Sequence, residues 1–153
     1  MTERRILKGI KKYFVIQEFV GRRTYEKYGE SAWKFIDFRL LETILILRMH
    51  LGKPITANTW HKGGKFKERG LRTNLQYIFR GYFKRWRLYL SAHIFGKALD
   101  FDVQGMTVEE VHEWIIDHAH LFPYKIRLET GVNWNHLDVI WEAKNLKIYQ
   151  FKP

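Results

Sequence analysis

Two histidines and a group of carboxylates stand at spacings that suit ligands converging on one metal ion. His93 and Asp100 are separated by six residues within Ser91–Val103 (SAHIFGKALDFDV), where Gly96 offers a bend between two short extended runs. Past Gly96, Ala98, Asp100 and Asp102 alternate with Leu99, Phe101 and Val103. That period of two predicts a strand with carboxylates on one face and apolar groups on the other. A third ligand is needed, and His136 is the best candidate: in Asn133–Val139 the same alternation puts Trp134, His136 and Asp138 on one face. Neighbouring strands would then offer zinc two imidazoles and a carboxylate. Three protein ligands leave one position open, the arrangement of a catalytic zinc and not of a structural one. The chain has no cysteine, so any zinc site must be built this way.

The chain has seven histidines; His61 falls in the loop over 61–64, and the other four read differently. His118 and His120, two apart on a helix, do not share a face. They read as residues of a C-terminal turn favoured by the helix dipole, and His50 as another of that kind. His112 reads as an exposed helical position. A lone histidine is more often hydrogen-bonded near a core than bound to a metal, but His93 and His136 share strand faces with Asp100, Asp102 and Asp138. Burying such a set without a cation would be costly in desolvation and carboxylate repulsion.

The elements that must position these residues can be read in chain order. Residues 2–12 mix five cations with Ile6, Leu7 and Ile10, and read as a solvated basic arm rather than a short amphipathic helix. Residues 13–34 are dense in aromatics and interrupted by Gly21 and Gly29, which predicts irregular or short helical structure wrapped on the core. A helix is predicted from Asp37, as N-cap, to about Leu51, ended by Gly52. Ile55–Trp60 reads as a strand and residues 61–64 as a loop. Thr107 and Glu110 have the spacing of a capping box, opening a helix to about His120. Strands follow over 125–129 and 134–141, with a final edge strand over 146–151. Together these predict an α+β fold: an antiparallel sheet of four to six strands carrying the metal, with the helices at 37–51 and 107–120 packed against it.

The chain of 153 residues, 46% of them hydrophobic, fits one domain with one substantial core. The missing cysteines exclude disulfide frameworks and thiol catalysis. A net charge of +11 points to polyanionic partners, whether nucleic acid, anionic lipid or the acidic polymers of a bacterial envelope. No secretory signal and no apolar run of about 18 residues is apparent, so the chain is expected to be made soluble, without its own export signal. From Lys62 to Arg87 nine Lys/Arg stand against one acid, Glu68, and are interleaved with Tyr77, Phe79, Tyr82, Phe83 and Trp86. Such a mixture suits single-stranded nucleic acid. A solvated surface with core-facing aromatics explains it equally well, and no recognisable nucleic-acid motif accompanies it.

Ser91-x-His93-x-x-Gly96-x-Ala98-x-Asp100, followed by Trp134-x-His136, resembles the zinc-ligand signature of the D-alanyl-D-alanine carboxypeptidase family of zinc peptidases, whose fold is shared with hedgehog signalling domains. The likeness is strongest to small single-domain members of bacteriophages and their hosts. It extends through Pro54–Trp60 (PITANTW), Gly63-Gly64, Arg69–Arg72 (RGLR) and Gly105-Met106-Thr107, from about Tyr13 to Val139.

The resemblance implies His93, Asp100 and His136 as ligands of one zinc ion, with Arg72 and Ser91 contacting substrate. It implies a general base shortly before the second histidine. The position three residues before it holds Asn133, which cannot act as a base, so the nearest upstream acid, Glu129, takes the role. Ala92 stands where the family often has a glutamine. Asp102 and Asp138 would orient the ligands from behind. The implied substrate is a peptide of bacterial peptidoglycan. Without a signal, such a protein would stay in the host cytoplasm until release or travel with a virion before acting on the wall. Two other readings stay open: a non-catalytic zinc module that binds cell wall or a partner chain, and a nucleic-acid-binding protein using residues 62–87.

Overall fold

The computed structural model describes residues 1–73, 90–140 and 145–152. Four α-helices are present among them: α1 (Glu3–Ile10), α2 (Arg22–Tyr28), α3 (Phe38–Leu51) and α4 (Val108–Asp117). Five strands, β1 (Ile55–Thr56), β2 (Ala98–Val103), β3 (Ile126–Glu129), β4 (Asn135–Asp138) and β5 (Ile148–Phe151), form one sheet in the order β1-β2-β4-β3-β5. The α+β expectation holds. The sheet, however, is mixed and not wholly antiparallel, because β5 runs parallel to β3. The reason is topological: a strand that reverses after β4 runs antiparallel to β4 and hence parallel to β3. The other edge of β4 is already taken by β2, so β5 adds outside β3.

The alternation foreseen for β2 and β4 is realised. Leu99, Leu137 and Leu128 lie side by side in register on one face, fully buried in the core. Their polar neighbours, one residue along each strand, therefore point to the other face. A single apolar cluster joins the inner residues of the sheet to Ile6 and Ile10 of α1, Leu40, Ile44 and Leu47 of α3, and Val111 and Ile115 of α4.

Both long helices start as their sequences predict. Asp37 accepts a bond from the Arg39 backbone N–H at the head of α3. Thr107 and Glu110 make both bonds of a capping box at the head of α4. His118 follows α4, where its Nδ1 donates to the Trp114 carbonyl at 2.8 Å and its ring stacks on the indole.

Three local expectations are corrected. Residues 3–10 form a helix docked on α3 and not a solvated arm: Ile6 and Ile10, four apart and so on one stripe, are fully buried. The strand predicted over Ile55–Trp60 ends at Thr56, because Asn58 turns away to bond the Val20 carbonyl and Trp60–Lys62 winds into a 3-10 turn. His112 is buried, not exposed, since it flanks the Val111–Ile115 stripe of α4. No helix among the described residues is long and apolar enough to cross a membrane.

Candidate metal centre

The register of the sheet builds the site. Asp100 of β2 pairs with His136 of β4, and the β3/β4 register that sets Arg127 against Asp138 and Leu128 against Leu137 continues to put Glu129 beside His136. Asp100, His136 and Glu129 thus form one row across three strands, on the face opposite the core. His93 reaches the same row from the turn before β2. That turn depends on Gly96, at φ +64°, where a Cβ would collide with the Phe35 carbonyl. His93, Asp100 and His136 are all buried, and one ligand atom from each lies within 4.8 Å of the others. The group can hold a metal ion.

Hydrogen bonds decide which atoms face that point. His93 Nδ1 lies 2.8 Å from the Gly70 carbonyl oxygen, which can only accept, so Nδ1 carries the proton. Burial holds His93 below the ordinary imidazole pKa, so the ring is neutral and Nε2 is a bare lone pair. That lone pair faces Asp100 Oδ1 at 3.2 Å. Two acceptors in contact in a buried place repel each other unless a cation stands between them. His136 Nδ1 approaches the same Asp100 oxygen at 2.7 Å, while its Nε2 is held by Asp138 Oδ2 at 3.1 Å. Burial would lower the His136 pKa, but the bonds and charges of Asp100 and Asp138 outweigh it and push the group up to about 9. The space between His136 Nδ1 and Asp100 is therefore one that retains a cation, whether a proton or a metal ion.

The surrounding groups complete the orientation. Arg72 Nη2 binds the second oxygen of Asp100 at 2.5 Å, leaving Oδ1 for the centre, and its Nε donates to the Glu68 carbonyl. Asp138 is fully buried and gripped at both oxygens by Arg127, at 2.8 and 2.9 Å. The Arg127 guanidinium lies over the Phe151 ring of β5, and that ring also meets His136 edge-on. Metal-binding histidines usually carry a second hydrogen-bond partner of this kind, here a backbone carbonyl for His93 and a carboxylate for His136.

The predicted site residues gather unequally. Glu129 comes to the centre, its Oε2 3.8 Å from His136 Nδ1. Ser91 lies beside it, its Oγ accepting from the His93 backbone N–H at 3.3 Å. Asp138 Oδ2 lies 3.1 Å from His136 Nε2. Asp102 meets Arg69, at 2.5 Å, and is bonded to none of His93, Asp100 and His136. Its effect is indirect, because the Arg69 carbonyl accepts from the Asp100 backbone N–H. Sequence reasoning missed Arg127 and the Gly70 carbonyl. Arg127 alternates onto the same face of β3 as Glu129, a signal that points to the site only once β3 is paired with β4. Nothing in the residue types marks the Gly70 carbonyl. Of the basic segment, residues 74–87 lie outside the described residues, as does Trp141.

No protein-family model, no curated protein and no solved structure matches the chain.

Proposed function

We propose that this protein is a zinc-dependent peptidase of the D-alanyl-D-alanine carboxypeptidase type, cleaving peptide bonds of bacterial peptidoglycan. The observation that carries the reading is the convergence of His93 Nε2, Asp100 Oδ1 and His136 Nδ1, with the Glu129 carboxylate beside them. The donor set suits zinc: two imidazoles and one carboxylate are a common catalytic trio, and no thiolate competes. Two ligands about 2.0 Å from a tetrahedral ion stand roughly 3.3 Å apart. The His93–Asp100 separation of 3.2 Å already meets that spacing.

When bound, zinc supplies Lewis-acid polarisation of the scissile carbonyl and activation of a water. The chain does the rest. Glu129, at the edge of the centre, accepts a proton from that water at its carboxylate and returns it to the leaving amine. Asp138 and the Gly70 carbonyl keep each imidazole turned the right way. Arg72 fixes Asp100 as a single-oxygen donor, and Ser91, bonded to the His93 backbone, would contact the substrate. The net charge of +11 favours approach to an anionic wall. Delivery to the wall would be by release at lysis or on a virion.

The test is hydrolysis of purified peptidoglycan by the zinc-loaded protein and by Glu129→Gln. The variant should keep its zinc and lose at least a hundredfold in rate. Full activity in the variant would remove Glu129 from the reaction.

Arg72 favours a second reading. Both its Nε and its Nη2 are committed to protein groups and not to an open cleft. A zinc-holding module that binds cell wall without cutting it would show this, and would bind peptidoglycan with no release of peptide.

A further inference from the structure

A cleft of about 470 Å³ lies apart from the metal centre, lined by Arg22, Arg23, Trp60, Gly63, Gly64 and Lys67. Among the described residues it brings together three cations and no carboxylate. Other arginines are used internally: Arg39, Arg69, Arg72 and Arg127 each pair with an aspartate. Arg22, Arg23 and Lys67 have no acidic partner among the described residues. Like charges converging on one concave surface raise its potential and concentrate anions there.

The cleft is also held in shape. Trp60 donates its indole N–H to the Val20 carbonyl at 2.9 Å, and Tyr25 packs against the ring. Arg22 lies over the same indole, 5.5 Å from its centre, so one guanidinium is positioned at the cleft rather than free in solvent. The loop below closes on itself, with the Thr59 and Trp60 backbone N–H groups both bonded to the Phe66 carbonyl. Gly63 and Gly64 leave the floor without side chains.

We infer that this cleft is a binding site for a phosphate group carried on a sugar or polyol. Two guanidiniums and an ammonium match the charge and the acceptor oxygens of phosphate. The volume exceeds that of a lone phosphate and leaves room for the group that carries it. Single-stranded nucleic acid fits less well, because its bases stack on successive aromatics and the described residues of this cleft present one indole. The site uses none of the metal ligands and stands whether or not the peptidase reading does.

Calorimetric titration of the full-length protein with glucose 6-phosphate tests it, with unphosphorylated glucose, poly(glycerol phosphate) and an oligothymidylate as comparisons. Glucose 6-phosphate should bind saturably at one per chain and glucose should not. The double variant Arg22→Ala/Arg23→Ala, altered only at exposed positions, should keep its melting temperature and bind at least tenfold more weakly. Stronger binding of the polymer than of the monomer, lost in the same variant, would identify a wall polymer as the source. The reverse order would identify a small metabolite. Absence of saturable binding, binding that the double variant leaves unchanged, or tight oligothymidylate binding without sugar-phosphate binding would each overturn the proposal.

Discussion

The Gly70 carbonyl oxygen accepts a hydrogen bond from the Nδ1–H of His93 at 2.8 Å, and that one bond determines that Nε2 faces Asp100 as a lone pair. The carbonyl can come so near because Gly70 has no side chain: a Cβ there would run into the Phe19 carbonyl. Leu71 is bonded to that same carbonyl, so the segment has no slack.

Gly70→Ala should therefore act on the metal centre from outside it. The segment must shift, the bond to His93 lengthens and the imidazole is free to turn. Losing such a supporting partner typically weakens a metal site 10- to 100-fold. Competition with a chromophoric chelator would measure it, and an unchanged metal affinity would show that Gly70 does not position His93.

Arg127 offers a second test from behind His136. Removing it leaves the fully buried Asp138 with the His136 ring and the Ile140 N–H as partners. Breaking a buried pair from one side costs about 3 kcal/mol. Arg127→Met should lower the stability of the metal-free protein by roughly that amount in urea unfolding, and Arg127→Lys by less. Equal stability in all three proteins would contradict the assignment.

The head of α3 carries a pH dependence. Burial raises the Asp37 pKa, but the bonds and charge of Arg39, with Lys97 nearby, outweigh it and leave the carboxyl below its ordinary 3.8. A depressed carboxyl contributes stability that is fully present above the unfolded value and is lost as pH falls through the folded one. Asp37→Asn should thus be less stable than the parent at pH 6, with the gap closing as pH falls below 3.8 towards the folded value. Thermal melts across that range would show the gap closing, and a gap of constant size would place the effect elsewhere.

The docking of α1 is tested at Ile10, which is fully buried where α1 meets α3. Ile10→Ala should destabilise by about 3 kcal/mol, whereas the exposed Lys8→Ala should change little. A negligible effect at Ile10 would restore the reading of residues 2–12 as a solvated arm.

These tests separate what could be read from residue types from what could not. The alternations in β2 and β4 declared which side chains share a face, and two such strands in register suffice to join Asp100 to His136. Histidine and aspartate also declare their chemistry. Support by Gly70 is different, because a backbone carbonyl has no residue type and its aim depends on a distant segment. Arg127 was legible only once β3 was known to pair with β4. The arm was misread because Ile6 and Ile10 form a stripe of a single turn, too short to outweigh five cations until α3 supplies a partner surface. The direction of β5 followed from which edge of β4 was already taken, a property of the whole sheet.

The most direct test of the account is the metal content of the purified full-length protein, measured by elemental analysis beside His93→Ala. The account predicts about one zinc per chain in the parent and a near-complete loss in the variant. A parent that holds no zinc even after reconstitution with excess metal, or a variant that retains it in full, would contradict it.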